Sequence, residues 1–305
     1  YMLDLFLFVI SLFVLWKSSD VFVDSSHSLA LHLKLPPILI GATVVAFGTS
    51  APELFVAIFA GLNHQSDVVY GNVFGSNIAN IFLIFAISLI LKRLDFDKAF
   101  REQLSLNFLS LIIVLVSVYF LSPSRLISVI ILIVFGVIQF LFLKKKSSHV
   151  SETPPYKLNL SVVLFSISLS FLIFSSRLLV LSLINVATFL GLSTTFLSLF
   201  AVAFGTSLPE LVTTVSFVRK NHIGIVVGNV FGSNFFNLLF VLPMAWLVYP
   251  GNMAIHFYFE LTILFATILF LMVLAYCFKR SRQLMGWSLL MFYFIYLSSI
   301  FYFVS

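Results

Sequence analysis

Two glutamates, Glu53 and Glu210, lie inside long apolar stretches, and each closes the same polar run. Ala46-Phe47-Gly48-Thr49-Ser50-Ala51-Pro52-Glu53 is matched by Ala203-Phe204-Gly205-Thr206-Ser207-Leu208-Pro209-Glu210. Gly71-Asn72-Val73-Phe74-Gly75-Ser76-Asn77 is matched by Gly228-Asn229-Val230-Phe231-Gly232-Ser233-Asn234, and Asn80 by Asn237. Every pair is 157 positions apart, and residues 41–80 and 198–237 are identical at 18 of 40 positions without a gap. A carboxylate at membrane depth is costly, so a duplicated motif that carries one in each copy points to an ion pathway at a repeat interface.

The chemistry follows from the residue types. Pro52 lacks an N–H, and its ring clashes with the carbonyl of Gly48, while Gly48 lets the backbone deform. Pro209 and Gly205 repeat the arrangement. Each helix is therefore expected to kink or break at mid-membrane, freeing carbonyls that are tolerated only against protein or a water-filled cavity. Positions 46, 49, 50 and 53 share one helix face, as do 76 and 80. The predicted ligand set is thus the Ala46 carbonyl, the hydroxyls of Thr49, Ser50 and Ser76, the Glu53 carboxylate and the Asn80 amide. The second copy supplies Ala203, Thr206, Ser207, Glu210, Ser233 and Asn237. All these ligating atoms are oxygen and none of the six histidines lies in either motif, which favours calcium or sodium over transition metals. Two carboxylates brought together repel, and one divalent ion or two monovalent ions relieve the same cost. Competition for one set of carboxylates is a physical basis for exchange. A reading in which these residues only pack helices requires the same coincidence twice at one offset.

The elements that must position this set are membrane helices. Apolar residues make up 61% of the 305 and charged residues 9%, with mean hydropathy +1.15; a soluble domain carries about a quarter charged residues. Apolar runs predict ten spans, at about 2–23, 36–61, 67–91, 103–121, 125–143, 160–185, 193–218, 223–248, 254–277 and 285–304. The run at 3–16 is followed by Lys17 and Asp20 and shows no small-residue cleavage site. With the loop after the first span on the cytoplasmic side, the cytoplasmic loops collect fourteen Lys and Arg and the opposite side only Arg125. This bias places both termini outside. The polar segment 144–159 then joins two five-span halves, 1–143 and 160–305. An odd number of spans per half inverts one relative to the other. The expected fold is an all-α membrane protein of ten helices in two inverted five-helix repeats, with broken helices lining a midplane cation site. The pI of 9.4 reflects loop lysines and arginines, and Lys144–Lys146 read as anchors at the cytoplasmic face rather than as a nucleic-acid or specific lipid site. The single cysteine, Cys277, forms no intramolecular disulfide.

Other polar residues read as structural. Gly71-Asn72 and Gly228-Asn229 are expected to open the third and eighth helices, with Asn as a cap. Asn77 and Asn234 fall beside the ligating face. Asp20, which aligns with Arg177, is expected to pair with Lys17 or Lys34, and Glu260 to be wetted near the outer end of the ninth span. The 38 phenylalanines are lipid-facing bulk and packing.

At its duplicated motifs the chain resembles the calcium/cation antiporter superfamily, within it the prokaryotic sodium/calcium exchanger branch. Gly-Thr-Ser-x-Pro-Glu and Gly-Asn-x-x-Gly-Ser-Asn are similar to that superfamily's two alpha repeats, here 41–80 and 198–237. The resemblance implies a core of the second, third, seventh and eighth spans with four adjacent cation sites. It also implies that calcium and sodium share Glu53 and Glu210, and that the first and sixth spans slide to alternate access. Asn237 stands where exchangers of this family often carry aspartate, whereas Asn80 matches their asparagine, so the pocket holds two acids rather than three. Ala51 is closer to the potassium-dependent branch than Leu208 is. The proton-coupled branch usually carries Gly-Asn-Ala-x-Glu at this position.

The sequence therefore predicts a calcium/sodium antiporter of a prokaryotic cytoplasmic membrane, working as a monomer in the bilayer without a cofactor or nucleic-acid partner. Proton or potassium coupling, and a passive cation channel, are the alternatives. No Ser/His or paired-Asp arrangement at membrane depth suggests an enzyme.

Overall fold

A computed structural model describes residues 2–144, 153–189, 205–251, 253–279 and 283–304. The fold is all-α. Its helices are α1 (Met2–Leu33), α2 (Pro37–Thr49), α3 (Ala51–Leu62), α4 (Ser66–Leu91), α5 (Lys98–Leu121) and α6 (Arg125–Leu143). They continue with α7 (Leu158–Phe189), α8 (Leu208–Arg219), α9 (Ile223–Val248), α10 (Ile255–Cys277) and α11 (Gln283–Val304). α2 and α3 together form the second span. α8 is the described part of the seventh, whose residues 190–204 lie outside the described residues, as do 145–152 of the linker.

The helices fall where the apolar runs place them, with one systematic difference. α1 was expected to end near residue 23 but continues to Leu33. Its apolar run stops, yet no breaker follows until Lys34 adopts a left-handed φ of 53° ahead of Pro36. Polar residues do not end a helix; a left-handed residue followed by proline does. The outcome is a helix of 32 residues that packs along α7, itself 32 residues long. Ser161 on α7 donates to Ser28 on α1 at 2.8 Å.

The central helices are identified by burial. The most apolar window of α9 is 94% buried and that of α4 83%, against 17% for α6. α6 turns Leu126, Ile130, Ile133 and Phe140 outward, as a lipid-facing helix does. Two separate apolar clusters result. One joins α4, α5, α9, α10 and α11 through Phe74, Phe85, Phe100, Phe231 and Trp246. The other seats the α1–α7 pair against α2, α8 and α9 through Leu15, Phe22, Leu172, Leu179 and Phe217. α1 is also tied to α8 and the turn after it, where Ser19 donates to Ser216 at 2.8 Å and Lys220 bonds Asp24 at 2.7 Å. The expected pairing of Asp20 with Lys17 or Lys34 is thus replaced by an ion pair one helical turn further on. Lys220 bonds the Asp20 backbone carbonyl at 3.0 Å, and Lys17 lies over the Trp16 ring. Glu260 also differs from expectation. Tyr296 donates to its Oε1 at 2.9 Å, and its Oε2 is buried without a partner rather than wetted.

α2 and α9 cross backbone to backbone. A Cβ on Gly228 would meet the Ile38 carbonyl oxygen, with the Ala42 nitrogen at 2.8 Å and the Gly41 Cα at 2.9 Å. The aligned Gly71 faces only the Phe257 ring, at 3.7 Å. Gly228→Ala is therefore expected to destabilise the fold by about 1–3 kcal/mol through overpacking. Gly71→Ala should be neutral or slightly stabilising through helix propensity. Thermal unfolding of the two purified variants checks this; equal behaviour would mean the crossing is looser than described.

Candidate cation site

Proline breaks the second span where the sequence places the break. α2 ends at Thr49, Ser50 takes φ −86° and ψ 10°, and α3 restarts at Ala51 with its axis bent by 47°. Ser207, before α8, takes φ −85° and ψ 1°, the same local conformation as Ser50. Each glutamate falls in the first turn of the helix that restarts, where unpaired N–H groups and the helix dipole suit an anion. Behind them, α4 and α9 each open into a wide π-helical turn that begins at Asn80 and at Asn237. Such turns are local departures from the regular helix and are frequent at functional sites.

The two copies meet side chain to side chain. Ser50 donates to Glu210 Oε1 at 3.0 Å, and Ser76 donates to Glu53 Oε1 at 3.3 Å. The hydroxyls of Ser76 and Thr206 lie 3.4 Å apart. Glu210 is thus held by a hydroxyl from the opposite repeat, and Glu53 by one from its own repeat that also reaches Thr206 of the other. Both glutamates are shut off from solvent, Glu53 at 0% exposure and Glu210 at 1%, so neither charge is screened by water.

A group of buried polar atoms has no hydrogen-bond partner: Glu53 Oε2, Glu210 Oε2, Ser207 Oγ, Ser233 Oγ, Asn80 Oδ1 and both amide atoms of Asn237. Native interiors leave few such atoms, and each calls for an explanation. Here all but one are oxygens, and all belong to the duplicated motifs. A hard cation satisfies such oxygens without needing nitrogen or sulfur. Among the described residues, no three His, Cys, Asp or Glu side chains gather into a metal-binding group, so the two carboxylates are supplemented by neutral oxygens.

Of the twelve expected ligands, hydrogen bonds link Glu53, Ser76 and Thr206 in one group and Ser50 and Glu210 in a second, and Thr49 bonds Asn229, while Ser207, Ser233, Asn80 and Asn237 contribute unpartnered atoms. The Ala46 carbonyl is not a freed one: it accepts the Ser50 N–H at 3.0 Å, so only its second lone pair could ligate. Ala203 lies outside the described residues.

Asn72 and Asn229 are not caps. They sit in the interiors of α4 and α9 at 0% exposure. Asn72 donates to the Glu53 backbone carbonyl at 2.9 Å, and Asn229 donates to Thr214 at 3.0 Å while accepting from Thr49 at 3.3 Å. Asn80 donates to Asn234 Oδ1 at 2.9 Å, a bond across the repeats that leaves its own Oδ1 as the remaining polar end. The signal that could have found these residues was an asparagine in an otherwise apolar helix, present twice.

A family model described as "Sodium/calcium exchanger protein" matches residues 3–144 and 160–302. Inner membrane protein YrbG of Escherichia coli is 30% identical over 294 residues, covering 91% of this chain and 89% of its own length. Sodium/calcium exchanger MaX1 of Methanosarcina acetivorans is 29% identical over 340 residues, covering 96% and 97%. A solved structure of the sodium-calcium exchanger NCX_Mj, soaked with sodium and strontium, superposes with a TM-score of 0.88 at 29% identity over 98% of this chain and 99% of that one. The motifs, the ten-helix inverted-repeat fold and the family match lead to one conclusion: this chain is an integral membrane protein of the sodium/calcium exchanger family.

Proposed function

We propose that the chain is a secondary antiporter that exchanges calcium for sodium, with Glu53 and Glu210 as the ligands both ions share. The observation that carries this reading is the pair of buried carboxylates, each with one oxygen tied to a hydroxyl and one unpartnered, at the junction of two inverted repeats. Leaving two such charges uncompensated in an apolar core is strongly unfavourable. One calcium or two sodium ions neutralise them equally, so loading with one ion type excludes the other. Thr49, Ser50, Ser76, Thr206, Ser207, Ser233, Asn80 and Asn237 add neutral oxygens, with carbonyls from Ala46 and Ala203. The names borne by MaX1 and NCX_Mj support the ion pair chosen.

The site sits on α2, α3, α4, α8 and α9, whereas α1 and α7 form a separate pair whose apolar cluster abuts it. In this reading that pair slides past the broken helices to expose the site to one side and then the other. The halves are 1–143 and 160–305, joined by the cytoplasmic linker 144–159 in a prokaryotic cytoplasmic membrane, and one chain suffices for transport.

Calcium-45 uptake into proteoliposomes carrying an outward sodium gradient tests the antiport. Uptake should require the gradient and fall by at least about 100-fold in Glu53→Gln and in Glu210→Gln, the size expected for losing a charged ligand, roughly 3 kcal/mol. Uptake that persists in both variants, or that follows only a proton or potassium gradient, contradicts it. Orientation is checked with Cys277, the only cysteine and exposed at the end of α10. A membrane-impermeant maleimide should label it in inside-out vesicles and not in intact cells; the reverse pattern would invert the topology.

A further inference from the structure

The two repeats are not equivalent at one buried position. Residue 57, on α3, is alanine; its counterpart on α8, 157 positions on, is Thr214. Both are fully buried. The hydroxyl that this difference introduces changes what the neighbouring asparagine does. In the first repeat, with only a methyl at Ala57, the Asn72 amide N–H turns to the Glu53 backbone carbonyl, and its Oδ1 has no partner. In the second, the Asn229 amide N–H donates to Thr214 Oγ1 at 3.0 Å, and its Oδ1 accepts the Thr49 hydroxyl from the opposite repeat at 3.3 Å.

We propose that Thr214 is a positioning residue for sodium selectivity: it fixes Asn229 so that Asn229 Oδ1 takes the Thr49 proton and turns the Thr49 oxygen toward the cation. A hydroxyl has one proton and two acceptor lone pairs, and it ligates a cation only with the lone pairs. The Thr49 hydroxyl has three acceptors within reach, the Val45 and Ala46 carbonyls of its own helix at 3.2 and 3.5 Å and Asn229 Oδ1 of the opposite repeat at 3.3 Å. Held by Asn229 rather than by the carbonyls of its own helix, the proton leaves the Thr49 oxygen available to the ion. Without the Thr214 hydroxyl, Asn229 is released toward the Glu210 carbonyl, which Thr213 also reaches at 3.2 Å, as Asn72 bonds the carbonyl of Glu53. Its acceptor then leaves Thr49. Calcium draws most of its binding from the two carboxylates, whereas a monovalent ion feels half that attraction and relies more on neutral oxygens. The effect therefore falls on sodium.

The inference rests on the antiport reading and on Thr49 as a ligand. It is tested in the same vesicles with Thr214→Val, which keeps the shape and removes the hydroxyl, and Thr214→Ser, which keeps the hydroxyl and removes the methyl. Sodium and calcium dependences are measured separately. Loss of one hydrogen bond corresponds to a rise of about three- to tenfold in half-saturating sodium for T214V. Half-saturating calcium should stay within about twofold, and T214S should behave as wild type. A wild-type sodium dependence in T214V, or T214S impaired as much as T214V, overturns the role, the second result showing that packing and not the hydroxyl matters. A sodium-dependent flux in wild type with equal shifts for both ions in T214V overturns the selectivity. Absence of sodium-dependent flux in wild type itself overturns the antiport reading, and the inference falls with it. Thr214→Ala, which copies the residue the first repeat carries, provides the same comparison if the valine is not accommodated.

Discussion

Two carboxylates inside one apolar core need positive charge, and most of this structure is arranged around that need. Among the described residues, neither Glu53 nor Glu210 has a lysine or arginine bonded to it; their bonded oxygens take only hydroxyls. A resident cationic side chain would neutralise the pair permanently and leave nothing to transport. Neutral donors hold the carboxylates in place while leaving their charge to be met by an ion that comes and goes. The cost of the empty site is what makes loading obligatory, and loading is what an exchanger must sense before it moves.

The remaining features serve that arrangement. A bridge-region serine two residues before a proline ends α2 and restarts the chain at an angle as α3, and the same serine conformation precedes α8, which puts a carboxylate in the first turn of each helix. The glycine crossing of α2 with α9 lets backbones approach closely enough for Thr49 to reach Asn229 across it. Outside the core, α1 and α7 stack on each other and touch the site helices through a separate apolar cluster, Ser19 bonded to Ser216, and the Lys220–Asp24 ion pair after α8.

Much of this was legible in the sequence, for a definable reason. Helix spans, the break at Pro52 and Pro209, and the oxygen-rich face follow from local rules: apolar run length, a missing N–H, and the i, i+3, i+4 spacing. Duplication then shows which residues must meet, since a motif that occurs twice with inverted topology faces itself. What escaped was set by partners distant in sequence. Asn72 and Asn229 read as caps because glycine–asparagine pairs often open helices, but their hydrogen bonds run to Glu53 and Thr214 within the packed interior. Glu260 read as wetted from its place near a helix end, whereas Tyr296 from α11 covers it. α1 outran its apolar run because only a breaker, not polarity, ends a helix.

The central claim is that calcium and sodium compete for one oxygen cage built on Glu53 and Glu210. Equilibrium calcium-45 binding to the purified protein, titrated with sodium, tests it most directly and requires no transport. The account predicts that sodium raises the half-saturating calcium concentration steeply while leaving the bound amount at saturation unchanged, with no saturable binding in Glu53→Gln or Glu210→Gln. Calcium binding that is indifferent to sodium, or that loses capacity while affinity stays fixed, would place the two ions at separate sites and contradict it.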